Sequence, residues 1–265
     1  MRVIKNEIKR IFFSKEMMVA LLLASIIVIW HQITYVWNPG HEVIGSDGRI
    51  ESVYYNWIGG NCAHFQSFFF FFVFPILAVI PSGGSYMTDR NSGYISQYTI
   101  RGAHKDYMIG KIIGTFFSGV LVVIFPLVLS FLLTAMKFPM INPESVMGLG
   151  PDAFSFDCEM YYHNPLIHTV LFILFDGLFS GGFALFTITA CFLFSHRFAV
   201  LVTPFVIHYF LFSLDRIVNG NDLSPNYFLI PGFSPHLWWE YVVSIGILAV
   251  NAILIYFISR KESRL

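Results

Sequence analysis

The sequence predicts an all-α polytopic membrane protein, with six transmembrane helices preceded by an amphipathic interfacial helix. Three observations predict it. The 265 residues are 56% hydrophobic and only 12% charged, and the mean hydropathy is +0.66, far from the balance of a soluble domain. Six apolar runs approach or exceed the roughly 20 residues that cover about 30 Å of hydrocarbon at about 1.5 Å per residue. Those runs are continuous rather than alternating, which argues against a barrel.

The elements follow in chain order. Over residues 1–16, Met1, Ile4, Ile8, Ile11 and Phe12 recur at helical spacing, with Lys5, Lys9, Arg10 and Lys15 mostly around the other side. That pattern predicts a helix lying in the inner membrane interface. The first span, Met17 to Trp37, reads as retained, since the apolar run is too long for a leader and no small-x-small cleavage site follows. Asn38 to His64 forms a polar, Gly-rich outer loop. The second span runs from Phe65 to Met87; its Phe68 to Phe72 run goes right round a helix, which suits bulk and lipid contact rather than one binding face. The third span is Ile112 to Met136, entered through Gly110, Gly114 and Ser118 at every fourth position. Pro139, Pro143, Pro151 and Pro165 leave no room for a long helix in the second outer loop.

The fourth span, Leu166 to Phe194, carries Gly177 with Gly181 and Ser180 with Ala184. Small residues so spaced favour packing within the chain over a dimer contact. Ser195, His196 and Arg197 join it to the fifth span, Phe198 to Leu214, which makes the two antiparallel neighbours. Asp215 to His236 is apolar yet broken by Pro225, Pro231 and Pro235, which suggests short helices dipping into the outer interface. The sixth span is Leu237 to Ser259.

Of the 16 Lys and Arg, all but Arg49, Lys137 and Arg216 fall on one side of this arrangement. Positive charge is retained inside, so both termini are expected in the cytoplasm, with an even number of spans. The 16 basic and 16 acidic residues cancel, which argues against a nucleic-acid partner. No phosphate-cradling Gly-rich loop ending in Lys-Ser/Thr, dinucleotide fingerprint, HExxH or GxSxG occurs, so no motif for a bound cofactor, metal or serine nucleophile is present. Among the three Cys, Cys62 and Cys158 share the outer side and either form a disulfide or remain two thiols. Asp176 stands among Leu174, Phe175, Leu178 and Phe179, where an acid costs about 2.5–3.5 kcal/mol against lipid. It faces protein or water, either on a substrate or proton path or in a packing hydrogen bond, with His208 as candidate partner. An intramembrane enzyme, or a structural or sensory membrane protein, built on Asp176 is the alternative functional reading.

The segment from Thr88 to Arg101, with Lys105, Tyr107, Gly110 and Lys111 after it, carries the most specific pattern. It resembles the ABC-2 type permeases: Asp89 stands for the usual Glu, Gly93 follows four positions on, Ile95 and Tyr98 are apolar, Arg101 is basic, and Gly110-Lys111 closes the motif. Ile100 replaces the common Pro. The order of the elements is similar over essentially the whole chain. The resemblance implies one transmembrane domain, residues 1–265, acting as the permease subunit of an ABC exporter in a bacterial plasma membrane. It implies pairing with a second permease copy or paralogue and with separate ATP-binding cassette subunits, which carry the ATP and Mg; this chain binds no cofactor. Residues 88–106 would couple to that ATPase, with Gly93 in the turn, Tyr94, Ile95 and Tyr98 as apolar anchors, and Asp89, Arg90 and Arg101 as polar contacts. Membrane lipid is the other partner, and the aromatic spans suit an amphipathic or hydrophobic cargo, a peptide (antimicrobial ones included) or a lipid.

Overall fold

Small residues decide how the helices stack. The structure, a computed structural model, describes residues 2–45, 50–60, 64–100, 104–143, 151, 158–217, 224–231 and 238–262. Helix α1 (Arg2–Phe12) leads through Phe13 and Ser14 into α2 (Lys15–His31), where the Ser14 hydroxyl accepts from the Met17 N–H at 3.1 Å and caps the helix. A wider π-helical turn, Gln32–Val36, extends α2. After α3 (Val53–Asn56) come α4 (Phe65–Val79), α5 (Ser85–Asn91), α6 (Tyr94–Ile100) and α7 (His104–Ala135). Then follow α8 (Cys158–His163), α9 (Pro165–Leu193), α10 (Arg197–Ile217), α11 (Pro225–Phe228) and α12 (Trp238–Glu262). Among the described residues, β pairing is limited to a bridge between Ile44 and Ile50. Among the described residues, four stretches are long and apolar enough to cross a membrane: Lys15–Val36, His104–Ala135, Pro165–Leu193 and Arg197–Leu214. The chain is an all-α membrane protein.

Helices α7 and α9 form the centre. A Cβ on Gly181 would lie 2.8 Å from the Phe116 carbonyl, and one on Gly119 would lie 2.9 Å from the Ala184 Cβ, so these backbones touch where side chains would part them. The Ser180 hydroxyl donates to the Gly119 carbonyl at 2.8 Å across the same contact. Close approach with a shared hydrogen bond is what holds helices together in lipid, and here it operates within one chain. Gly110 and Gly114 do the same for α1: added Cβ atoms would meet the Ile4 Cα at 2.9 Å and the Ile11 Cδ1 at 2.6 Å. Because α1 packs there, α7 begins at His104, well ahead of Ile112 where the sequence places the third span.

The second span differs from its expected extent of Phe65 to Met87. Helix α4 stops at Val79, and the N–H groups of Ser82 and Gly83 both donate to the Val79 carbonyl in a tight turn. Pro81 has no N–H to continue the helix. Gly84 lies under the Arg197 side chain, where a Cβ would fall 2.2 Å from Nε. The phenylalanine run, expected to meet lipid, is used mainly for packing: Phe70 and Phe71 are buried, and Phe72 meets Phe205 and Phe212 of α10 edge-on at 5.4 and 5.7 Å.

At the end of the bundle away from α1, the loop expected to be polar is instead a plug. Trp57 and Ile58 are buried, the Ile58 N–H donates to the Ser130 hydroxyl at 3.2 Å, and the Ser67 hydroxyl donates to the Ile58 carbonyl. Gln32 donates to the Ser130 carbonyl and the Thr134 hydroxyl at 3.2 and 2.9 Å, tying α2 to α7 beside it. The proline-broken stretch supplies α11, whose Phe228 is buried against Phe179 at 5.4 Å. Lys137 donates to the carbonyls of Val36, at 2.8 Å, and of His41, which pins the loop after α2. Lys137→Met is therefore expected to cost about 1.5 kcal/mol, the lower range for hydrogen bonds to a charged group. Faster hydrogen exchange at residues 36–41 checks it.

Candidate functional site

Residues 85–100 form two short helices hinged at a glycine. Gly93 has φ of +72°, the left-handed conformation that ends α5, and its N–H donates to the Arg90 carbonyl at 3.3 Å. Nothing lies within 4 Å of a Cβ placed there, so the constraint comes from the backbone alone. Gly93→Ala is expected to lose about 1–2 kcal/mol, measurable as a lower denaturation midpoint in detergent.

Behind this hinge sits a node of four charges. The Asp89 carboxylate, on the buried side of α5, accepts from Lys111 Nζ at 2.8 Å, from the Tyr107 hydroxyl at 2.6 Å and from the Arg10 guanidinium. Tyr107 and Lys111 are one turn apart on α7 and therefore share a face. Glu7 of α1 pairs with Arg10 at 3.0 Å, lies 3.9 Å from Lys111, and accepts from the Tyr94 hydroxyl at 3.4 Å. Lys111 and Glu7 are almost wholly removed from solvent, at 0% and 1% side-chain exposure. Two acids and two bases thus bind α1, α5, α6 and α7 into one unit.

Burial opposes ionisation of Asp89, but the Lys111 charge and the hydrogen bonds from Arg10, Lys111 and Tyr107 outweigh it and hold the carboxyl below its usual range. Burial wins at Glu7, whose carboxyl is pushed up despite Arg10 and Lys111. The signs follow by linkage. A depressed Asp89 stabilises the fold above its unfolded value of about 3.9, and that contribution is lost as pH falls through the lower folded value. A raised Glu7 works the other way, its contribution being fully present below about 4.3 and lost as pH rises through the folded value. Mild acidification therefore leaves the node closed. Protease protection of residues 85–100 is expected to persist down to about pH 4 and to fall below it.

The expected site residues divide into inward and outward groups. Asp89, read from the sequence as an outward polar contact, faces inward because Lys111 requires a counter-charge. Arg90 donates to the Cys191 carbonyl at 3.1 Å with its guanidinium 6.0 Å from the Phe192 ring, so it caps the last turn of α9. Tyr94 and Ile95 are half-buried against Tyr86, Met87, Tyr107 and Met108 of the same chain. Among the described side chains of α6, Ser96, Gln97 and Ile100 are exposed, the last at 86%. The Tyr98 side chain and Arg101 lie outside the described residues. The sequence does not place Glu7, Tyr107 and Lys111 in one node; for Glu7 the signal is an acid within the Ile4, Ile8 and Ile11 stripe.

The other candidates lie deeper. Asp176 of α9 and His208 of α10 are both buried, and among the described residues none of their polar side-chain atoms has a hydrogen-bond partner, so they do not bond each other. Phe74, Phe183 and Phe72 surround the His208 ring at 5.2 to 5.9 Å. Cys158 opens α8, half-buried, while Cys62 and hence their pairing fall outside the described residues. Among the described residues, no three of His, Cys, Asp and Glu gather as metal ligands. The fold and node define a helical membrane protein with a charged junction of four helices at one end. No protein family, curated protein or solved structure matches the chain.

Proposed function

We propose that the chain is the permease subunit of an ABC-2 type exporter, crossing the plasma membrane six times with both termini in the cytoplasm. It moves an amphipathic or hydrophobic cargo, a peptide or a lipid. ATP is hydrolysed on separate cassette subunits, and a second permease copy or paralogue completes the pathway. The observation that carries this reading is a short helix exposed on one face and braced on the other. Helix α6 offers Ser96, Gln97 and Ile100 outward, while Tyr94 leans on Glu7, and Asp89 beneath the hinge is tied to Lys111 and Arg10.

Such a brace suits a lever. Force applied to α6 passes through α5 and Asp89 to Lys111, and so to α7 and the α9 packed against it. A partner that grips α6 differently in two nucleotide states can shift the bundle only by that difference in affinity, and a loose loop would dissipate it. The contacts assigned to Asp89, Arg90, Tyr94 and Ile95 are accordingly support for the handle, and Ser96, Gln97 and Ile100 are its gripping face. Asp176 and His208, buried and without side-chain hydrogen bonds among the described residues, are the candidate cargo path. The test is purification from native membranes at low detergent. A nucleotide-binding subunit recovered with the chain supports the proposal, and its absence from a stable, folded preparation contradicts it.

A further inference from the structure

Helix α1 has two unlike faces. Glu7, Arg10 and Ile11 turn toward α5 and α7, as described above. The face beside this contact is open: the half-buried side chains of Ile4, Ile8 and Phe12, with the exposed Phe13, form an apolar floor, and Lys5 and Lys9 stand beside it. Phe13 is 82% exposed, and Lys9 Nζ lies 5.9 Å from its ring. Among the described residues neither Lys5 nor Lys9 has an acidic partner, whereas Arg10 is doubly paired. Ser14 alone separates Phe13 from α2, so this face lies at the level where the bundle enters lipid.

An apolar floor edged by two unpaired ammonium groups is complementary to acyl chains lying beneath anionic headgroups. We propose that this face of α1 binds anionic phospholipid of the leaflet on its own side of the membrane. The occupant is identified by charge and by continuity with a membrane-crossing helix; a neutral lipid would satisfy the floor and leave both lysines unmatched. Because α1 also carries Glu7 and Arg10, bound lipid would hold the Asp89 node from the membrane side. The proposal rests on α2 crossing the membrane and needs no ATPase partner, so it can fail while the exporter reading stands.

The experiment uses the full chain in nanodiscs of mixed phosphatidylcholine and phosphatidylglycerol, with retained lipid read by native mass spectrometry. Phosphatidylglycerol should be retained preferentially. Lys5→Gln/Lys9→Gln should weaken the tightest phosphatidylglycerol about 25-fold, from roughly fivefold per lysine near a charged surface, with helix content unchanged. Raising salt toward 1 M should erase the preference in the unaltered chain. Equal retention of the two lipids, a preference untouched in the double variant, or a second protein copy cross-linked across this face would overturn it.

Discussion

Asp89→Asn is expected to destabilise the chain by about 3–5 kcal/mol, the cost of leaving one member of a buried ion pair without the other. Lys111, at 0% side-chain exposure, would keep its ammonium with the Asp89 hydrogen bond weakened and Glu7 still 3.9 Å away, beyond hydrogen-bond reach. Thermal unfolding in detergent measures the loss. Lys111→Met alone should be milder, since Asp89 keeps Arg10 and Tyr107. In the double variant Asp89→Asn/Lys111→Met most of the loss should return, because buried pairs tolerate replacement together far better than singly. Equal stability of Asp89→Asn and the unaltered chain would show that Lys111 does not depend on Asp89.

On the proposed function, Ile100→Asp should have the opposite profile, leaving the fold intact while disabling capture of the proposed ATPase partner. At 86% exposure Ile100 contributes little to the chain's own packing, so stability should change by no more than about 0.5 kcal/mol. As the apolar centre of a gripping face it would be an anchor residue, whose loss costs about 2 kcal/mol or more of binding, roughly a 30-fold weaker capture of the ATPase. Titration of the ATPase subunit onto detergent-purified chain, run beside thermal unfolding, separates the two effects.

Much of the fold is legible in the sequence because hydropathy reports depth in a membrane. The extents of α2, α9 and α10 follow from their apolar runs. The break after Val79 is legible only in part: Pro81, Gly83 and Gly84 are helix breakers set inside an apolar run, but what closes on Gly84 is Arg197, over a hundred residues away. The early start of α7 is hidden for a related reason. Lys105, Asp106 and Lys111 make that stretch look like a solvated connector, whereas α1 docks on its Gly110 and Gly114 and Asp89 binds its Tyr107 and Lys111. At the candidate site, only the resemblance to the ABC-2 permeases points to Asp89 and Gly93. It cannot orient α6, a seven-residue helix with Tyr94, Ile95, Tyr98 and Ile100 spread around it. Which of these turn inward depends on Tyr107 and Met108 beneath them, and that is tertiary information.

The most direct measurement is photocross-linking from position 97 or 100, with a benzophenone side chain installed in place of Gln97 or Ile100 in cells that make the whole assembly. The expected product joins this chain to a nucleotide-binding ATPase from either position, and the yield falls when Asp89→Asn loosens the brace. Adducts with lipid alone, or none at all from a correctly inserted chain, would contradict the assignment of α6 as the handle of an ATP-driven permease.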